Sequence, residues 1–150
     1  MRADEATLHY PLMGFVADGE IVGFSDLENL TICHRSTFER GRHVGIELVD
    51  AELGHWVVRS AELQAPAPQP SFWKRIFSAP PNAELDLELE KLGTLSIEQM
   101  RDRVCAGLIA APQGSYVDEE DFDTMLAELR AAGSVREIFE IFAFDLGCGL

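Results

Sequence analysis

The stretch "HVGIELVDAELGHWVVRSAEL", residues 43–63, decides the fold. Two runs alternate in polarity around a short break. Val44, Ile46 and Leu48 fall on one side of the first run, with His43, Gly45, Glu47 and Val49 on the other. In the second run Trp56 and Val58 share a side, opposite Val57 and Arg59. A period of two over both runs reads as a pair of half-buried antiparallel strands. The loop length then decides which faces meet. For Val44, Ile46 and Leu48 to share a face with Trp56 and Val58, the loop must contain an odd number of residues. An even loop would set Leu48 opposite Val57 and Ile46 opposite Arg59, mixing the faces. The expectation is a three- or five-residue turn with Gly54 in or beside it, at a left-handed backbone position.

A second hairpin lies upstream. "LMGFVADGEIVGF", residues 12–24, places Asp18-Gly19 between two apolar runs, a strong short-range hairpin signal. A two-residue turn there pairs Ala17 with Glu20, Val16 with Ile21 and Phe15 with Val22, and sets Met13 facing Phe24. Met13, Phe15, Val22 and Phe24 then form the core face. Gly14 falls opposite Gly23, leaving room for a ligand or for a strongly twisted sheet corner.

Downstream, "ELDLELEKL", residues 84–92, alternates Leu85, Leu87 and Leu89 with Asp86, Glu88 and Glu90. It reads as a further half-buried strand of the same sheet, acidic on its outer face. Before it, "QAPAPQPS", residues 64–71, is an extended proline-rich connector. "FWKRIF", residues 72–77, then reads as a short helix, with Ser71 as its cap and Pro80-Pro81 as its stop. It is a locally basic island: either an anchor that touches a partner or membrane, or a turn whose aromatics plug the core.

The remainder reads as helical. Ser96 with Gln99 makes a capping box, ahead of a stripe of Ile97, Met100, Val104 and Leu108 with Cys105 at its edge. Asp118 caps a second helix, in which Phe122, Met125, Leu126 and Leu129 face inward and after which Gly133 occupies the C′ place. Ser134 with Glu137 starts a third, from Val135 to about Leu146. That helix is apolar on most sides, which makes it either central or presented to a partner. The fold class is therefore α+β. Strands are expected near 12–17, 20–24, 43–50, 55–62 and 84–91, and helices at 97–110, 119–132 and 135–146. One domain spans 1–150, with a β-rich lobe 1–63 and a mainly helical lobe 84–150 joined by the connector 64–83.

The formal net charge of −14, from 26 acidic and 12 basic residues, disfavours nucleic acid, since such a surface repels phosphate. It suits a basic protein partner, whose approach it would speed. No run approaches the length of a membrane span, and no secretory signal is visible, so a cytoplasmic location is expected. The three cysteines are expected to be free thiols.

The most chemical-looking segment is "LTICHRSTFERGRH", residues 30–43, with Cys33 beside His34 and with His43, Arg35, Arg40 and Arg42 close by. The arginines could lower a thiol pKa or bind an acidic ligand. Yet neighbours on a strand point to opposite faces, which parts Cys33 from His34. Ser36 with Glu39 makes another capping box, so the segment reads as a strand end, a helical turn and a stop at Gly41. Under that reading Cys33 is buried, Phe38 packs inward and the arginines sit in water. "DEEDFD", residues 118–123, fails as a calcium loop, because position six is Asp123 and position twelve is Leu129. No phosphate loop, CxxC, HExxH or GxSxG pattern occurs. No catalytic residue, metal or cofactor is expected.

The run from Leu27 to Leu63 resembles the β-rich part of small acidic bacterial proteins encoded as immunity partners beside polymorphic toxins. The shared features are an apolar strand ending near Thr31 to Cys33, a short Phe-Xaa-Xaa-Gly connector, and the "LVDAELGHWVV" hairpin. The resemblance implies a cytoplasmic inhibitor that plugs a cognate toxin. It carries over no functional residue, since such inhibitors differ in where they bind. Candidate partner-binding carboxylates are Glu119, Glu120 and Asp123, or Asp86, Glu88 and Glu90. Two other readings stand beside this one: a structural or adaptor subunit, homodimeric through the Phe-rich C-terminal helix, and a small enzyme or ligand binder using the Cys33 region.

Overall fold

The hairpin of residues 43–63 closes through three residues. In the computed structural model, which describes residues 1–64, 82–112 and 116–142, strand β4 (Glu47–Val49) pairs with β5 (Gly54–Leu63) in the register Glu47–Val57, Leu48–Trp56 and Val49–His55. The odd loop brings Ile46, Leu48, Trp56 and Val58 into one buried cluster. The left-handed residue is Leu53, at φ 66°, not Gly54. Gly54 answers a different need: a Cβ there would lie 2.5 Å from Oδ2 of Asp50. The Asp50 carboxylate is buried beneath the loop. Its Oδ1 accepts from the backbone N–H groups of Glu52 (3.0 Å) and Gly54 (2.8 Å), and its Oδ2 from the indole N–H of Trp56 (3.1 Å). The first strand starts later than its alternation suggests. Gly41 and Gly45 both take positive φ, so residues 41–45 turn instead of extending, and Val44 is half exposed rather than on the core face.

The upstream hairpin departs from its expected register by one residue. Strands β1 (Leu12–Phe15) and β2 (Ile21–Phe24) pair as Leu12–Phe24, Met13–Gly23, Gly14–Val22 and Phe15–Ile21. The loop is Ala17-Asp18-Gly19, with hydrogen bonds from Gly19 N–H to Val16 O and from Val16 N–H to Glu20 O, both 2.9 Å. A tight Asp-Gly turn would need positive φ at both central residues; here only Gly19, at φ 93°, pays that cost. The Asp18 carboxylate also accepts from Glu20 N–H at 3.0 Å. The shift exchanges the faces. Leu12, Val16, Val22 and Phe24 belong to one cluster, Met13 and Ile21 to another, with Phe15 packed against the second. Because both faces are buried, apolar pattern alone did not set the register. Gly14 lies opposite Val22, not Gly23. Its missing Cβ makes room for Val22 and Phe24, whose atoms would stand 2.7 and 2.9 Å away, so the space belongs to the core and not to a ligand.

Six strands make one sheet in the order β2-β1-β4-β5-β6-β3, with β6 spanning Asn82–Thr94 and β3 Ile32–His34. Leu85, Leu87 and Leu89 point inward and Glu88 and Glu90 outward, as their alternation requires, with Asp86 half-buried between them. Two register shifts interrupt the long β5–β6 ladder, one between His55 and Trp56 and one between Val58 and Ser60. The second returns Ala61 to the inward face after Trp56 and Val58, and such irregularities bend paired strands. The sheet curls around its inner cluster, which α1 (Leu27–Thr31) and α2 (Arg35–Glu39) cover with Leu30 and Phe38. Residues 27–31 are thus helical, where the resemblance implied a strand; Asp26 caps them through Asn29 N–H at 2.7 Å. The expected Ser36–Glu39 capping box does not form, because the helix begins two residues earlier, with His34 at its N-cap.

On the outer face of β1, β2 and β4 pack three helices: α3 (Ile97–Ala110), α4 (Phe122–Ala131) and α5 (Val135–Phe142). The Ser96–Gln99 capping box of α3 is complete. Asp118 precedes α4 without a side-chain cap, and Glu119–Asp121 form a 3-10 turn before the α-helix proper. Half of the Ser134–Glu137 capping box forms: Ser134 Oγ accepts from Glu137 N–H at 3.1 Å, while the Glu137 carboxylate accepts from Gly133 N–H at 2.7 Å instead of from Ser134 N–H. Val135, Ile138 and Phe142 are buried against the domain's own core. The connector, the "FWKRIF" helix and the expected extension of α5 toward 146 lie outside the described residues, except that β6 already begins at Asn82. The two expected lobes share the sheet, since Leu63 of β5 pairs with Leu85 of β6.

Gly54→Ala is expected to destabilise the fold by about 1–3 kcal/mol through overpacking against Asp50. Asp50→Ala, which strands three donors, two of them buried, should cost about 3 kcal/mol or more. Urea unfolding monitored by Trp fluorescence and circular dichroism measures both.

Candidate functional site

The Cys33 segment has no reactive geometry. Cys33 is buried in β3, paired with Ala83, while His34 is exposed. Burial pushes the Cys33 thiol pKa up, only partly offset by a hydrogen bond with the Phe38 backbone. The nearby arginines do not reverse this. Arg35 and Arg40 are exposed. Arg42 is not simply in water: it turns away to clasp Asp18 and Glu20 on the β1–β2 turn. His43 is 2% exposed, and its Nδ1 has no hydrogen-bond partner among the described residues. Burial, and then the charge of Arg42, push its pKa down to about 4. It is a neutral core histidine, apart from Cys33 in role. Cys105 is likewise buried, with its thiol pKa raised by burial.

Two polar constellations that sequence reasoning missed hold the architecture. Glu47 of β4 meets His55 Nε2 at 2.6 Å and Arg103 of α3 at 2.7 Å, while the Arg103 guanidinium lies 4.5 Å above the Phe15 ring centroid. The hydrogen bond from Arg103 holds the Glu47 carboxyl below its ordinary range, opposed by burial and aided by His55. This cluster ties α3 to the sheet. The second is a cleft of about 350 Å³ over the Asp50 loop, lined among others by His9, Glu52, Trp56, Lys91 and Thr94. His9 lies 3.3 Å from Glu52, and Lys91 Nζ sits 5.2 Å from the Trp56 ring centroid. Its buried anion, Asp50, already accepts three hydrogen bonds from the hairpin itself. Sequence reasoning gave the odd loop, but nothing in the local sequence announced Asp50 or its partners.

The two sets of candidate carboxylates have different surroundings. Asp86 meets Arg2 at 2.6 Å, Glu88 meets the Met1 amino nitrogen, and Glu90 meets Arg59. The outer face of β6 is thus largely neutralised by this chain's own cations. Glu119, Glu120 and Asp123 are exposed and make no ion pair among the described residues. From Tyr116 to Phe142 the chain carries eight acidic residues and two basic ones, Arg130 and Arg136. The structure therefore separates carboxylates that are already paired from carboxylates still able to meet a cation.

Among the described residues, no three His, Cys, Asp or Glu side chains converge to hold a metal ion, and no helix is long and apolar enough to cross a membrane. Compared with protein-family models, curated proteins and solved structures, the chain finds no match.

Two outcomes test this account. Thiol titration with a chromogenic disulfide should label Cys33 and Cys105 only after denaturant is added, with the labelled sites mapped by mass spectrometry. His43 makes stability pH-dependent with a definite sign. Its folded pKa of about 4 lies below the unfolded value of about 6.5, so the unfolded chain takes the proton first and stability falls as pH drops through that window. Between about pH 6.5 and 5, above most carboxylate titration, His43→Gln should flatten the slope of urea midpoint against pH.

Proposed function

We propose that this chain is a non-catalytic, acidic protein-binding module, specifically an immunity-type inhibitor that neutralises a cognate bacterial toxin in the cytoplasm. The observation that supports it most is the acidic surface at Glu119, Glu120 and Asp123, which makes no ion pair among the described residues. A basic partner would meet these carboxylates without first displacing an internal cation, and the long-range field of a −14 chain would speed the encounter. The contribution of Asp86, Glu88 and Glu90 is smaller on this reading, because each must exchange an existing partner. The resemblance of residues 27–63 to immunity proteins supplies the identity of the partner class.

The adaptor reading is weaker, since Val135, Ile138 and Phe142 of α5 already pack on their own domain. The ligand-binding reading through Cys33 is weaker for the burial given above.

Co-expression with the product of the adjacent reading frame tests the proposal. A complex should form whose affinity falls steeply with added salt. Glu119→Gln, Glu120→Gln and Asp123→Asn combined should weaken it about tenfold or more by calorimetry, and Asp86→Asn, Glu88→Gln and Glu90→Gln combined much less. Absence of any complex with a neighbouring product would overturn the reading. A dimer by light scattering at micromolar concentration would favour the adaptor instead.

A further inference from the structure

A cleft of about 400 Å³ lies between the β1–β2 turn and the C-terminal end of α3. Asp18, Gly19 and Glu20 form one wall, Ala110, Ala111 and Pro112 another, and Tyr116 a third. Its volume falls in the lower range of small-ligand sites. Three independent features give it one electrical sign. Asp18 and Glu20 bring two carboxylates to its lip, which the single charge of Arg42, paired with Asp18 Oδ2 and Glu20 Oε2, neutralises only in part. The C-terminus of a fourteen-residue helix ends in its second wall, and the end of a helix carries partial negative charge from its last carbonyls. Helices commonly answer that charge with a basic side chain, but α3 has none in its last turn. Arg42, which holds Asp18 and Glu20, is not among the described residues that line the cavity.

The walls are also fixed in place. The Tyr116 hydroxyl accepts from Ile21 N–H at 2.7 Å, and its ring meets Phe142 edge-on, with centroids 5.5 Å apart. Gly107 lets α3 approach β2 closely, since a Cβ there would stand 2.6 Å from Ile21 Cδ1. The alanines on the helix wall leave the space open. Burial raises the Tyr116 pKa, partly offset by the hydrogen bond with the Ile21 backbone, and Glu20 and Asp18 add to the rise.

We infer that this cleft seats a single arginine side chain of a basic protein partner. A guanidinium offers five donors in one plane, enough to meet a carboxylate on one wall and helix-end carbonyls on the other, and it stacks on an aromatic ring. The compact ammonium of lysine meets one such wall at a time. The inference rests on the protein-binding function proposed above and adds to it a specific anchor: the broad acidic surface draws the partner in, and the cleft fixes one side chain of it.

The probe is Nα-acetyl-arginine methylamide, titrated into the full ¹⁵N-labelled chain and followed by amide chemical shifts. Saturable shifts are expected at Gly19, Glu20, Ala110, Ala111 and Tyr116. Glu20→Gln should weaken binding several-fold. Ala110→Trp, which fills the cleft from an exposed helix position and preserves every charge, should abolish the saturable shifts. Nα-acetyl-lysine methylamide should bind several-fold more weakly. Non-saturating shifts spread over all acidic segments, unaltered binding in Ala110→Trp, or equal binding of the lysine probe would each overturn the inference. An oligolysine peptide, expected to shift residues 119–123, separates the two levels. If it binds there while the arginine probe leaves the cleft unmoved, the anchor fails and the wider reading stands. If the arginine probe binds but no neighbouring gene product forms a complex, the wider reading fails and the cleft stands as an arginine site.

Discussion

The carboxylate of Asp50 is the constraint on which the sheet depends. An anion withdrawn from water is tolerated only where donors surround it, and here the donors are the loop it closes and the tryptophan that fills the inner cluster. One side chain thereby fixes the loop length, the absence of a side chain at residue 54 and the tilt of the Trp56 ring. The register of β4 against β5 follows, and with it the face that β5 offers to the leucines of β6. The same loop reaches outward as well: Ala51 N–H donates to His9 O at 2.7 Å, and Leu95 N–H to Leu53 O at 2.9 Å. The N-terminal segment and the entry to α3 are both tied to it.

Much of this arrangement was legible where one face of an element is wet. Leu85, Leu87 and Leu89 alternate with carboxylates, and the strand is where the alternation puts it. The stripe of Met100, Val104 and Leu108 and the capping box of Ser96 placed α3 to the residue. Legibility failed where both faces are dry. Met13 and Leu12 are equally buried on opposite sides of β1, so no polarity marked the register, and the loop's preference for a single left-handed residue decided it. It failed again at Val44, where the alternation continued through Gly45, whose positive φ keeps the backbone from extending.

The candidate site was legible in its charge but not in its partition. Composition alone gave the excess of carboxylates. Which of them have cations depends on contacts between residues far apart in the chain, such as Arg2 with Asp86 and Arg42 with Glu20. Spacing along a sequence carries no trace of these. The buried Cys33 and His43 show the converse: residues that look chemical when close in the sequence become inert once the fold buries both, Cys33 beside Ala83 and His43 without a hydrogen-bond partner for Nδ1 among the described residues.

The place of β3 at the sheet edge has a kinetic meaning. Among the described residues, Ile32, Cys33 and His34 pair only with Glu84, Ala83 and Asn82, with all of β4, β5 and residues 64–81 lying between the partners in the sequence. Contacts of such long separation close large loops before they gain stability, and chains built on them fold slowly. The inner cluster is complete on that side only when β3 and β6 have paired, and the like charge that these molecules carry at neutral pH opposes association of chains in which it is not.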